Sequence, residues 1–193
     1  MAQSIQTLLE TPPGYRSEIA ARFVWQLDEL RRTLIDDTRG LTPAELGWQP
    51  APGMNTIGML LAHIAYSENH LAQVGLEGKA TSDTKSAIGI SEKEEGLPLA
   101  PGAPPSPALA RRELTWFDDL LARARTYTRK VALTLTDEDL AREVRRPRPD
   151  GTHRVFNPAW VLYHMIEHEA GHRAQINLLR HLMRSRDGGA SAR

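Results

Sequence analysis

His168-Glu169-Ala170-Gly171-His172 spells H-E-x-x-H, the signature of one class of zinc proteases. The spacing has a mechanism behind it. Two histidines four apart on a helix share a face and can hold one metal ion, and the glutamate between them can act as general base on water at that ion. Such proteases take a third ligand from downstream of the motif. Here no glutamate follows Glu169, and the downstream candidates are His181 and Asp187. His181 lies further along the same helix, about 13 Å away at roughly 1.5 Å per residue, too far to share the ion. Arg173 puts a charge where the protease pattern carries an uncharged residue, and no strand is expected whose edge would hold an extended peptide. A protease is not expected.

The same two histidines read differently against the helix that carries them. Asn157 suits an N-cap and Pro158 the first helical position, and the pattern then runs unbroken to about residue 185. Its inward stripe is Val161, Met165, His168, His172, Ile176, Leu179 and Met183, recurring every three or four residues. Two imidazoles on adjacent turns of an apolar stripe are costly unless partnered, and a metal ion partners both by taking a neutral ring nitrogen from each. A third ligand must then come from another helix. His63 is the best candidate, lying beside Leu60, Ile64, Leu71 and Val74 in the middle of a helix expected over 56–76. His70, with Glu68 and Asn69 around it, reads as surface. His164 falls one turn before His168 but off the central stripe, and His153 lies in an Asp-Gly loop. Three neutral nitrogens leave an open position on a divalent ion, as catalytic zinc sites do.

Two more helices complete the frame. Ile19, Phe23, Leu27, Leu30 and Leu34 mark one over 17–38. Leu114, Phe117, Leu120, Leu121 and Ala124 mark another over 108–131. Short capped turns are expected at Leu41-Thr42-Pro43 and Leu135-Thr136-Asp137, and a hairpin-like loop around Asp150-Gly151. The stretch 77–107 is polar and rich in Gly, Pro, Ser and Ala, long enough to be a flexible loop or a lid. The expected fold class is all-α, a four-helix bundle with short extra helical turns and long connecting loops, forming one domain over 1–193.

Composition narrows the function. Lys plus Arg and Asp plus Glu number 24 each among 193 residues, so the formal charge is zero, which argues against nucleic acid or an anionic membrane as partner. The basic run Arg142, Arg145, Arg146 and Arg148 reads as a solvated loop. The chain has no cysteine, which excludes a thiolate nucleophile of its own and any Cys-ligated metal. There is no basic start followed by an apolar stretch, and no run long enough to span a membrane, so the cytoplasm is the expected location.

At the level of motifs the chain resembles the DinB-like superfamily, including its bacillithiol- and mycothiol-dependent transferase branches. "LTPAELGWQPAPGMNTIGMLLAHIAYSE" looks like the first signature of that family and "HEAGHRAQINLLRHL" like the second, with Ala174 where the family has Gly. The resemblance implies a four-helix bundle, usually a homodimer, with zinc or nickel on His63, His168 and His172. It also implies a small-molecule substrate and, in some branches, a low-molecular-weight thiol cosubstrate. Two functions are compatible with it. One is a thiol-dependent S-transferase or related hydrolase with an open metal position; the other is a non-catalytic, stress-related metal-binding module. Glu169 could serve as a base but is expected to face a flank or a dimer interface, since it sits about 100° round the helix from His168. Tyr66 is expected mainly to pack, and Gln175 either supports the site or packs.

Overall fold

The computed structural model describes residues 8–95 and 101–190, with 187–190 described by backbone alone. Helix α1 (Glu18–Thr38) starts where the Ser17 hydroxyl accepts from the Ala20 amide. Helix α2 (Pro43–Leu46) is a single turn closed by a Thr42–Glu45 capping box. Helix α3 (Ile57–Leu71), capped by Thr56, continues through a π-helical turn at Ala72–Leu76. Then come α4 (Thr84–Ile88), α5 (Glu92–Glu95), α6 (Leu114–Ala132), and α7 (Asp137–Ala141), which has its own Thr136–Asp139 capping box. Strands β1 (Val144–Pro147) and β2 (His153–Phe156) pair antiparallel, and α8 (Pro158–Ala190) ends the described chain.

The four long helices pack in a ring, α1 beside α8, α8 beside α3, α3 beside α6, and α6 beside α1. Cross-helix contacts fix their directions. Arg31 meets Glu169 and Asp37 meets Arg173, so α1 and α8 are parallel. Glu68 meets Arg125 and Gly58 lies against Phe117, so α3 and α6 are parallel as well. His63 meets His168 while Gly75 lies against Val161, which sets α3 antiparallel to α8. All four are therefore an all-α bundle, and the small β1–β2 hairpin forms around the expected Asp150-Gly151 turn.

That topology explains the long middle segment. Two parallel neighbours cannot be joined by a tight turn, so the chain after α3 must travel back the full length of the bundle, about 28 Å for a helix like α6. The expected lid is in its described part a packed crossover. Helix α4 rests on α3 and α6, Ile88 and Ile90 enter the core, and Arg123 Nε donates to the Ile88 carbonyl at 3.1 Å.

Other boundaries also move. The third long helix begins at Leu114 rather than 108, because Arg111 takes a left-handed conformation (φ 63°) and breaks the run. The last helix runs on past 185 to Ala190. Ile19 is exposed, since the buried stripe of α1 is Ala20, Val24, Leu27, Arg31, Leu34 and Thr38. The third helix faces inward as expected, through Phe117, Leu120, Leu121 and Ala124, with Leu114 half-buried.

Candidate metal centre

Each imidazole of the site is placed by a different piece of local chemistry. His63 sits midway along α3, held between Leu60 and Ile64, which are buried. Its Nδ1 lies 2.6 Å from Oε2 of Glu95, a carboxylate only 2 % exposed that the crossover delivers on α5. His172 Nδ1 lies 2.9 Å from Gln175 Oε1, one turn further along α8. Both rings therefore donate from Nδ1, and both present a bare Nε2.

The three Nε2 atoms converge. His168 Nε2 is 3.0 Å from His63 Nε2 and 3.2 Å from His172 Nε2, and the three ligand atoms lie within 4.8 Å of one another. A single proton on His168 could satisfy one of those contacts, but not both. A divalent cation satisfies all three lone pairs at once, and tetrahedral zinc at about 2.0–2.1 Å from nitrogen sets its ligands roughly 3.3 Å apart. Charge state agrees. Burial first, then the neighbouring His172 and His63, push the His168 ring down to about 3, so it stays neutral. Burial also lowers His172. Neutral imidazoles are what a metal requires. The rings are half-buried, at the edge of the core rather than within it. The donor set fits a divalent ion.

The remaining sequence candidates stay outside this group. His164 stacks on Trp160 (4.7 Å between centroids), and its Nδ1 faces Glu167. His70 is half-buried rather than surface, hydrogen-bonded to Ser82 Oγ at 2.7 Å and stacked on Tyr66. Tyr66 packs against the core, and burial raises its pKa. His153 and His181 are exposed, and the Asp187 side chain lies outside the described residues.

Behind the histidines lies a feature that no single stretch of sequence discloses. Glu169 does not face a flank or an interface. It is 2 % exposed and takes Arg31 Nε at 2.7 Å and Arg125 Nη2 at 3.0 Å. Glu68, read as surface, is 4 % exposed and takes Arg31 Nη2 and Arg125 Nε, each at 2.7 Å. Two arginines and two glutamates from four helices thus close a neutral ring inside the bundle. Burial alone would raise the Glu68 carboxyl, but Arg125 and Arg31 outweigh it and hold it well below its ordinary value. With both oxygens of Glu169 engaged, the glutamate of H-E-x-x-H is not placed to act as a base. A void of about 10 Å³, lined by Glu68, His168 and Glu169 among others, lies between this ring and His168. That is near the lower limit for one water molecule.

A profile of the DinB superfamily matches residues 26–176, a span that contains α1 from its third turn, all three histidines and all four members of the charged ring. The chain belongs to the DinB superfamily. A conserved protein of Enterococcus faecalis, known from its crystal structure, superposes on this DinB-superfamily chain with a TM-score of 0.59. The match spans 83 % of this chain and 94 % of that one at 17 % identity, a likeness of fold alone. No curated protein matches the chain. Among the described residues no helix is long and apolar enough to cross a membrane.

Proposed function

We propose that this DinB-superfamily protein is a metal-dependent enzyme, a thiol-dependent S-transferase or related hydrolase acting on a small molecule. His63, His168 and His172 hold its divalent ion, zinc or nickel. The observation that carries this reading is the donor set itself. Three ring nitrogens converge, and among the described residues no fourth His, Asp or Glu joins them. Bound there, a divalent ion supplies Lewis acidity to a sulfur or oxygen donor at its open position. A chain without cysteine takes its sulfur from outside, which makes a low-molecular-weight thiol the natural cosubstrate.

The protein's own residues do the positioning. Glu95 keeps His63 in the Nδ1–H tautomer, and Gln175 does the same for His172. Ser67 Oγ lies 3.5 Å from His63 Nε2 and places a hydroxyl at the site. Tyr66 and His70 stack at 5.8 Å on α3, beyond His63. We further propose a cytoplasmic homodimer, which would cover the exposed apolar side chains Ile35 on α1 and Leu178 and Leu182 on α8.

Metal content per chain tests the reading, measured by plasma mass spectrometry on wild type and on His63→Ala, His168→Ala and His172→Ala. About one ion per chain in wild type, lost in all three variants, is expected. Thiol consumption against a panel of small electrophiles should then depend on the same three histidines. An ion retained in His63→Ala would overturn the ligand set. A fully loaded wild type that consumes neither thiol nor ester would leave a metal-binding module in place of an enzyme.

A further inference from the structure

Along the α3–α8 groove, beyond His164 and His70, the structure holds a cavity of about 260 Å³. Its floor is apolar, made by Leu71, Val74 and Val161, with the faces of Phe156 and Trp160 at one side. Gly75 lets the backbone at this end pack directly on α8, because a Cβ there would fall 2.7 Å from Val161 Cγ1. Two guanidinium groups border it. Arg146, which the sequence reading left in solvent, is half-buried and donates from Nη2 to the carbonyls of Val74 (2.9 Å) and Lys79 (2.5 Å). Arg154 lies over the Trp160 ring at 4.7 Å. Among the described residues neither pairs with a carboxylate. Glu143, which borders a neighbouring surface cleft together with Arg154 and Trp160, is taken by Arg145 at 2.9 Å. An arginine has five N–H donors, so most of those on Arg146 and Arg154 stay free for a ligand.

We propose that this cavity binds a small organic carboxylate with an apolar body. The ring or chain of the ligand lies on the Val161–Trp160 floor, and its carboxylate reaches Arg146 and Arg154. The volume is below the roughly 300–1,000 Å³ that buries a drug-sized ligand, so the occupant is a single-ring or short-chain molecule. Two guanidinium groups beside a lining that is apolar apart from His70 suit one negative charge better than a phosphate dianion, which demands more donors. The cavity is joined to the histidines by a line of rings. Trp160 stacks on His164, and the His164 centroid is 6.1 Å from that of His168. Val161 to His168 is about 10 Å along the helix. An elongated carboxylate anchored here reaches toward the metal ligands. Its catalytic meaning rests on the enzyme reading above; the binding itself does not.

Calorimetric titration with 3-phenylpropionate, and with 3-phenylpropan-1-ol as its neutral counterpart, tests the proposal on wild type, Arg146→Gln, Arg154→Gln and His172→Ala. The carboxylate should bind at least about tenfold tighter than the alcohol, and each arginine variant should weaken it about tenfold. Arg154 is exposed, so its variant keeps the fold even if Arg146→Gln loosens the hairpin. His172→Ala should bind the carboxylate as wild type does, which separates this site from the fate of the metal centre. Equal binding of acid and alcohol would overturn the proposal, as would acid binding unchanged in both arginine variants or no binding at all. Binding lost only in His172→Ala would put the anion on the metal instead.

Discussion

The carboxylate behind His63 gives the sharpest prediction. Glu95→Gln keeps the size and one acceptor oxygen but removes the negative charge 2.6 Å from His63 Nδ1. Groups that hydrogen-bond the outer nitrogen of a ligating histidine typically contribute 10–100-fold in metal affinity, which is about 1.4–2.7 kcal/mol. The upper end is expected here. Glu95 is 2 % exposed, so its charge would act on the imidazole and on a bound cation with little solvent screening. Glu95→Ala should cost more still, because the Nδ1–H is left without an acceptor, at a further penalty of about 1–3 kcal/mol. Zinc affinity is read by competition with a chromophoric chelator near neutral pH. The thermal midpoint of the metal-free proteins shows whether α5 stays packed. Affinity within about twofold of wild type for both variants would refute the reasoning, because the carboxylate would then do nothing for the tautomer.

Two further predictions follow from the packing. Gly75→Ala should cost about 1–3 kcal/mol in urea unfolding, since the added methyl would fall 2.7 Å from Val161 Cγ1. Val161→Ala should restore much of that loss, and additive effects would show that the close approach is not what excludes a side chain there. The depressed Glu68 carboxyl makes the fold acid-sensitive: its contribution is fully present above the ordinary value of 4.5 and is lost as pH falls through the lower folded value. Wild-type stability should therefore decline with falling pH below about 4.5 and Glu68→Gln should show a shallower decline; identical slopes would rule out the assignment.

The parts of the protein legible in its sequence are those set within one helix. The i, i+4 histidines on the stripe of α8, the placement of His63 beside Leu60 and Ile64, and the two capping boxes are all local patterns. What was illegible depends on topology. Glu95 sits in the run Glu92-Lys93-Glu94-Glu95, which reads as solvated charge; only a crossover that must return past the middle of α3 brings its last carboxylate to His63. Arg31 stands between Leu27 and Leu34 at core spacing, a visible anomaly, but its partners come from α3 and α8. Lys, Glu, Arg and Asp are almost never buried unless paired, and the pairing is a property of the assembled bundle.

The buried ring and the histidine site belong to one design. Glu169 follows His168 directly, and Glu68 lies five residues after His63, so the ring grips both histidine-bearing helices next to the triad. An apolar seam tolerates small rotations and slides, because one aliphatic contact replaces another at little cost. A ring of bidentate ion pairs does not: turning α8 by one residue, about 100°, would pull Glu169 off Arg31 and Arg125 and swing His168 out of line with His63. Taking four charges out of water adds little net stability, and hydrophobic residues of similar volume would often hold a bundle as well. Their value here is in register. Convergence of three Nε2 atoms from two antiparallel helices tolerates an error of a few tenths of an ångström, and directional contacts from α1 and α6 onto the same two helices supply that restraint.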